Sequence, residues 1–439
     1  MKRVRPGTQR PPRLLEIISI AAILFGLVSF AIGNPMAIAQ ESGPEPLVAQ
    51  ALQANPELKS IDLQVQALRH KADAVQMWMD PVFMVEYSNF PIDTWSLGDS
   101  PMTGVQFKLQ QTFSLAGKNS RREATAQAEV KTIGWSLEEK RNQLAGLVKQ
   151  MYWSLALVRQ LRVITQKHID LVGQLLEAIR AKYQVGKVGQ HDLMRLEVLK
   201  SKLEDDLGEF DRSVRELTAV LNAAMHRAPV SHIATPEQTN LSSPTKSLTD
   251  WFELAKSKRP ALKGLKAMAK AKRLAADAAG YERWPDITVW AGYRIRRQAG
   301  MDDGTDQMTL GLGIPLPLNY TGSSNAKKAM RLSEASAVEE QEIALLDEIH
   351  SSLEAALAAW ERADQKANHY MENLIPRANE TLESTLTAYQ SDRADFASLY
   401  QAELQLLDFE RTLLVARSQT WIQQAVIQTL SGTHTSDSE

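Results

Sequence analysis

Two different periods of hydrophobic and polar positions run along this chain. Between residues 104 and 115 apolar and polar residues alternate, and the same alternation returns between residues 306 and 317. A period of two predicts β-strands with one apolar face and one polar face in contact with water. With the segments before them, these stretches predict four strands, near 82–90, 104–115, 286–297 and 306–317. The apolar face should carry Val105, Phe107, Leu109, Phe113 and Leu115 in the second strand and Met308, Leu310, Leu312, Ile314 and Leu316 in the fourth. A hairpin packed on helices would show the same alternation.

The second period is helical. Leu137, Leu144, Met151 and Val158 recur at every seventh residue, with Val148 and Leu155 between them, which is the spacing of a coiled-coil seam. We expect long helices over 117–182 and 321–390 and shorter ones over 46–80, 190–224, 248–284 and 394–430. At 1.5 Å per residue each long helix is about 100 Å long, and two shorter helices end to end match it.

These elements occur twice in the same order. "NPELKSIDLQ" begins at Asn55 and "RPALKGLKAM" begins 204 residues later at Arg259. Met102-Thr103 corresponds to Met308-Thr309, and "KYQVGKVGQHDL" from Lys182 corresponds to "AYQSDRADFASL" from Ala388. Because three landmarks keep their order and spacing, the chain is predicted to be a tandem duplication.

The chain ends are predicted to lie outside the repeats. A basic segment, the apolar run "IISIAAILFGLVSFAI" and an A-x-A site at Ala37 and Ala39 indicate a secretory signal, although an uncleaved anchor is the alternative. We therefore divide the chain into a signal peptide (1–39), a first repeat (40–225), a polar linker (226–247), a second repeat (248–430) and a disordered tail (431–439).

The composition of the chain excludes several classes of function. The formal net charge of −2 gives no sign of nucleic-acid binding, and the absence of cysteine excludes disulfides and a lipid-modified N-terminal cysteine. The eight histidines show no metal-ligand spacing, and no catalytic motif is visible. We expect no enzyme activity, no cofactor and no metal site.

The predicted strands have the length of tilted transmembrane strands. Four strands leave open edges, and unpaired backbone groups cost several kcal/mol each in lipid. Because single-chain barrels need at least about eight strands, several copies of the chain would have to pool their strands. A strand that continues into a long helix would then join a barrel wall to a helical tunnel.

The sequence resembles the outer membrane efflux protein family of the TolC type over about residues 45–430. The matching motifs are "NPEL", "QTFSLAGK" and "YQVGKVGQHDL". Stretches such as "DPVFMVEYSNFP" make it most similar to the outer membrane components of heavy-metal efflux systems, the CzcC and CusC branch. The resemblance implies a mainly α fold with a small β part. In it, long coiled-coil helices form a periplasmic α-barrel and four strands per chain join a trimeric 12-stranded β-barrel in the outer membrane.

The same resemblance implies partners: a periplasmic adaptor, an inner-membrane pump of the resistance-nodulation-division class, and two further copies of the chain. Two features depart from the family. The chain has no cysteine for an acyl anchor, and its second hairpin, "YQSDRADFASL", lacks a glycine where the first has Gly186, so its closing geometry is expected to differ.

The candidate functional residues lie at the two helical hairpins, where the resemblance places the periplasmic aperture. Repeated acidic side chains there could attract cations and form a gate through pairing with arginine, whereas simple helix capping is the alternative. The candidates are Tyr183, Gly186, Asp192, Arg195, Tyr389, Asp392, Arg393 and Asp395.

The sequence thus predicts a passive efflux duct, with heavy-metal cations as one candidate cargo. The alternatives are a TolC-like duct for drug efflux or type I protein secretion, and a periplasmic coiled-coil scaffold without a barrel.

Overall fold

The computed structural model describes residues 43–89, 91–96, 99–236, 246–316, 320–391 and 393–434. The predicted signal peptide and residues 435–439 of the predicted tail lie outside them. All elements below belong to one compact unit that begins at Pro44.

The described part of the chain follows the predicted order of elements. The first repeat contains α1 (Glu45–Ala54), α2 (Pro56–Val75), β1 (Val82–Ser88), β2 (Gly104–Phe113), α3 (Lys118–Gln184) and α4 (Gln190–Ala224). The second contains α5 (Leu248–Lys258), α6 (Pro260–Tyr281), β3 (Ile287–Arg296), β4 (Gln307–Gly313), α7 (Tyr320–His369), a π-helical turn (Tyr370–Leu374), α8 (Ile375–Gln390) and α9 (Phe396–Ser431). Four strands and the helical hairpins are therefore present where they were expected.

The first helix of each repeat is broken, and the prediction of single helices over 46–80 and 248–284 was wrong. Asn55 and Arg259 have extended ψ angles of 122° and 117°. Each precedes a proline, whose ring disfavours the helical conformation of the residue before it. Pro56 and Pro260 then open a new helix, where a missing N–H is harmless. The break thus recurs at the same place in both repeats.

The two long helices also differ from each other. α3 runs for 67 residues without interruption. The prediction of one continuous helix over 321–390 was wrong, because α7 and α8 are separated by the π-helical turn. Pro376 lies at the start of α8, and a proline there would clash with the carbonyl four residues earlier in a regular helix. The wider turn accommodates this proline.

The four strands form one antiparallel sheet in the order β1-β2-β3-β4. Its central pair joins the two repeats, with Gly104 opposite Arg296 and Phe113 opposite Ile287. Leu115 in the first repeat and Ile314 and Leu316 in the second lie beyond the ends of β2 and β4, so their assignment to the strands was wrong. Pro315 has no N–H to donate to a ladder, which limits β4.

The predicted coiled-coil seam is inside the helical part. Leu137, Leu144, Val148 and Leu155 are buried in one apolar cluster that also contains residues of α1 and α4. A second cluster fills the hairpin region with side chains from α3, α4, α8 and α9. The chain between the repeats begins packed: Ile233 is buried and its carbonyl accepts a hydrogen bond from Arg159 Nη1 at 2.6 Å. The first residues of the predicted tail are also packed, because Ser431 ends α9 and is buried.

Candidate functional site

The sheet has two faces of opposite character. The register places apolar side chains in neighbouring rows across all four strands: Phe83, Val85, Phe107, Leu109, Val289, Ala291, Tyr293, Met308, Leu310 and Leu312. The intervening rows point to the other face and hold Glu86, Gln106, Lys108, Gln110, Thr112, Thr288, Arg294 and Thr309, together with Val82, Met84 and Trp290. The predicted alternation is therefore confirmed for the residues within the strands.

No helix of the described chain covers the apolar face. Phe83 and Leu310 expose 64% and 73% of their surface, and Leu109 exposes 54%. An exposed apolar patch that spans four strands marks a surface for another apolar phase or partner. The alternative of an ordinary hairpin packed on helices does not hold within this chain.

The polar face is organised around one large ring. Trp290 lies across Gly311, where an added Cβ would come within 2.2 Å of the ring. The Lys108 ammonium lies 4.9 Å from the centre of the same ring, and Arg294 donates a hydrogen bond to Gln106 at 3.1 Å. Glycine at 311 is thus required by the close approach of the indole.

Aromatic side chains mark the end of the sheet nearest the helices. Trp78 packs edge-on against Phe113 with a centroid distance of 4.7 Å, and both Trp78 and Trp284 are about half exposed. Such rings favour the interface between water and lipid. None of the described helices combines the length and apolar character that a bilayer span demands.

Each repeat contains a helical hairpin: α3 and α4 form the first, and α8 and α9 form the second. Their turns lie at the end of the long helices that is opposite to the sheet. Gly186 has a φ of +72°, and the turn is closed by a hydrogen bond from Lys187 N to Lys182 O at 3.0 Å. In the second hairpin Arg393 N donates to Ala388 O at 2.8 Å, which is the equivalent bond 206 residues later. The closing hydrogen bond is therefore the same in both turns. Asp392, which takes the place of Gly186, lies outside the described residues.

The two hairpins contact each other through Lys182 of the first and Tyr389 of the second. Tyr389 is buried, and the Lys182 ammonium lies 2.9 Å from its carbonyl oxygen and 4.2 Å from its ring centre. Tyr183, the equivalent residue of the first hairpin, is 41% exposed. The two tyrosines therefore have different environments.

The predicted charged residues make local contacts within the chain. Asp395 is the N-cap of α9 and accepts a hydrogen bond from Ser398 N at 2.9 Å. Ser398 also holds the pKa of Asp395 below its ordinary value. Asp192 lies in the first turn of α4, 3.0 Å from His191 Nε2. Arg393 Nε donates to Ser391 Oγ at 3.1 Å, and Arg195 is exposed.

Sequence reasoning missed a buried charged group between the hairpins. His168 of α3 contacts Glu403 and Glu410 of α9, which are 235 and 242 residues away along the chain. In the sequence His168 is a lone histidine on a long helix. Its partners lie on the last helix of the chain, so no local sequence pattern marks it.

Several solved structures share this fold. The chain is similar to the outer-membrane channel OprN, with 14% identity, a TM-score of 0.75 and 89% of each chain covered. It is also similar to the outer membrane protein VceC from Vibrio cholerae, with 18% identity, a TM-score of 0.72 and 89% of this chain and 96% of that chain covered. CusC is similar at 15% identity and a TM-score of 0.70, with coverage of 90% and 95%. The fold is that of the outer membrane efflux channels.

The sequence also matches a family in part. Residues 47–199 match the family of outer membrane efflux proteins, which confirms the predicted resemblance. By sequence, no curated protein matches the chain. What the chain matches is a family of channels and not one of enzymes. At identities of 14–18% the structural neighbours share the fold and do not single out the heavy-metal branch.

Proposed function

We propose that this protein is the outer-membrane duct of a tripartite efflux system. The observation that carries the proposal is the exposed apolar face that continues over all four strands of an open sheet. In the described chain β1 and β4 each pair on one side only. A sheet with two free edges is not stable in lipid, because each unpaired backbone group costs several kcal/mol there.

Three copies of the chain would pair the free sheet edges and place the apolar face against lipid. Their strands would close a barrel of about twelve strands with the apolar face toward lipid and the polar face toward water. The helices would continue from the barrel as a tunnel of about 100 Å into the periplasm. An adaptor and an inner-membrane pump would meet the hairpin turns, where the eight candidate aperture residues lie. Residues 1–39 would direct export and be removed after Ala39.

A pair of neighbouring positions tests the placement of the sheet. Leu109 lies on the apolar face and Gln110 on the polar face of the same strand. An arginine in place of Leu109 would meet lipid and cost about 2–4 kcal/mol per chain, whereas arginine in place of Gln110 would meet water. We expect Leu109→Arg to abolish the heat-modifiable trimer in the outer-membrane fraction and Gln110→Arg to retain it. Equal behaviour of the two variants would contradict the barrel and favour the scaffold without one.

The orientation makes a second test possible. Residues 92–101 and 298–305 connect the strands at the end of the sheet away from the helices, and they should lie at the cell surface. Epitope tags inserted there should bind antibody on intact cells. Binding only after permeabilisation would reverse the orientation.

Heavy-metal cations are the cargo that the sequence resemblance favours. Within the described residues no group of three or more histidine, aspartate or glutamate side chains is arranged to hold a metal ion, so a resident site does not support this cargo. A duct that only conducts needs none. If metal cations are the cargo, loss of the gene should make cells sensitive to metal salts. Sensitivity confined to detergents and dyes would assign the duct to drug efflux.

A further inference from the structure

A layer of charged side chains crosses the interior of the helical part. His168 on α3 is 1% exposed. Its Nδ1 lies 2.5 Å from Glu403 Oε1 and its Nε2 lies 2.8 Å from Glu410 Oε2, both on α9. Glu403 is 2% exposed and Glu410 is 14% exposed. An ionised carboxylate only accepts hydrogen bonds, so an imidazole held between two carboxylates donates from both ring nitrogens in its charged form.

The layer continues to a third helix through an arginine. Arg411 of α9 binds Asp206 of α4 at 2.9 Å and donates to Thr165 of α3 at 2.9 Å. Lys167 of α3 lies 3.6 Å from Glu410 at the surface edge of the layer, where its side chain is 68% exposed. The charged groups that face one another from the three helices are thus three cations, on His168, Lys167 and Arg411, and three anions, on Glu403, Glu410 and Asp206. The layer is neutral only while His168 holds its second proton.

The pKa values agree with this arrangement. Burial alone would lower the pKa of His168, but the hydrogen bonds and charges of Glu403 and Glu410 outweigh burial and raise it to about 9. Burial opposes ionisation of Glu410, yet His168 and Lys167 hold its pKa below the ordinary value.

The repeat shows that the layer is built once per chain. At the positions 206 residues away, Leu374 replaces His168, and Glu197 and Glu204 replace Glu403 and Glu410. Glu197 and Glu204 are 40% and 55% exposed and pair with Arg180 and Lys200 on the surface. The charged layer therefore belongs to the contact between the long helix of the first hairpin and the short helix of the second, and has no counterpart in the other half.

The centre of the layer, His168 and Glu403, is buried, and a buried ion pair gives little stability because desolvation offsets the attraction between its charges. It does fix one arrangement of helices, since any displacement leaves a charge buried without a partner. We propose that this layer locks the two helical hairpins of one chain together, so that they move as one body and separate only when the layer is broken. The consequence for opening of the duct rests on the proposed function, whereas the lock itself does not.

Three variants test the lock. His168→Leu leaves Glu403 buried without its partner, so we expect unfolding at a lower denaturant concentration than for the wild type. The double variant His168→Leu with Glu403→Leu replaces the buried pair by apolar side chains and should recover most of that shift. The control is Glu197→Leu, which removes the equivalent surface glutamate and should unfold like the wild type. An unchanged midpoint for His168→Leu would overturn the charged lock.

Channel recordings test what the lock does. In planar bilayers at pH 7 both His168 variants should open several-fold more often than the wild type, and Glu197→Leu should not. Wild-type openings should become more frequent between pH 8 and 10, as His168 loses a proton, and the double variant should show no such rise. A double variant with wild-type stability, wild-type opening and the wild-type pH response would reduce the layer to ordinary packing. If the wild type forms no channel, the proposed function fails, and the denaturation series still decides whether the lock exists.

Discussion

Residues 432–434, which follow α9, should detach in acid. Protonation of His434 should be the cause. His434 Nε2 lies 2.9 Å from Thr429 Oγ1 and 3.2 Å from Ala425 O. The segment passes so close to the break between α5 and α6 that a Cβ on Gly432 would come within 2.8 Å of the Arg259 Cα. Burial, and then the positive charges of Lys149 and Arg259, lower the pKa of His434 to about 3.

The sign and size of the effect follow from this pKa. The unfolded or detached histidine titrates at 6.5, so its neutral form in the folded chain adds its full stability above pH 6.5 and loses it as the pH falls toward 3. At pH 5, which is about 1.5 units below the unfolded value, the loss is about 2 kcal/mol per chain. His168 contributes a constant amount in this window, because its raised pKa makes its contribution complete below pH 6.5 and lost only toward pH 9.

Denaturant unfolding at pH 8, 6.5 and 5 measures this loss. The wild type should lose stability between pH 6.5 and 5, and His434→Gln, which keeps a hydrogen-bonding side chain without a titratable ring, should lose much less. A His434→Gln variant with the same pH dependence as the wild type would refute the reasoning and assign the acid sensitivity to carboxylates such as Glu410.

Three further changes address the seam, the sheet that would form the barrel wall, and the hairpin turns. Leu144→Asp puts a charge into the buried seam at a cost on the order of several kcal/mol, and trimers should fail to accumulate in membranes; normal accumulation would contradict the coiled-coil assignment. Gly311→Ala should destabilise the trimer by about 1–3 kcal/mol through its clash with Trp290, and adding Trp290→Ser should restore its migration on gels. Asp395→Asn keeps the N-cap of α9 but removes its charge, whereas Asp395→Ala removes both. Higher single-channel conductance in both variants supports a gate, and a lower unfolding temperature in the alanine variant alone supports a cap.

The sequence predicted most elements because periodicity depends on local spacing. The seam through Leu144 and the alternation through Leu109 survive in the structure because each reflects one side of a regular helix or strand. The helix breaks at Asn55 and Arg259 escaped prediction although each precedes a proline. Proline at the first position of a helix and proline inside a helix give the same local signal, and only the backbone angles separate the two.

The candidate site was harder to predict, because it depends on residues that are distant in the chain. Tyr389 could be named from its motif, but its burial against Lys182 of the other hairpin could not. Asp395 was equally consistent with a gate and a cap, and the hydrogen bond to Ser398 N shows that it does cap a helix within one chain.

The π-helical turn at Tyr370–Leu374 has a consequence for how such a ring can evolve. A ring built from six identical single repeats would carry every substitution six times, so a hinge in one helix would be a hinge in all. In this chain the duplication has separated the two positions. α3 is uninterrupted while its counterpart is divided by the π-helical turn before Pro376, and Leu374 stands where the first repeat has His168. In the proposed trimer, uninterrupted and interrupted helices would alternate around the tunnel, so selection could change one set without changing the other.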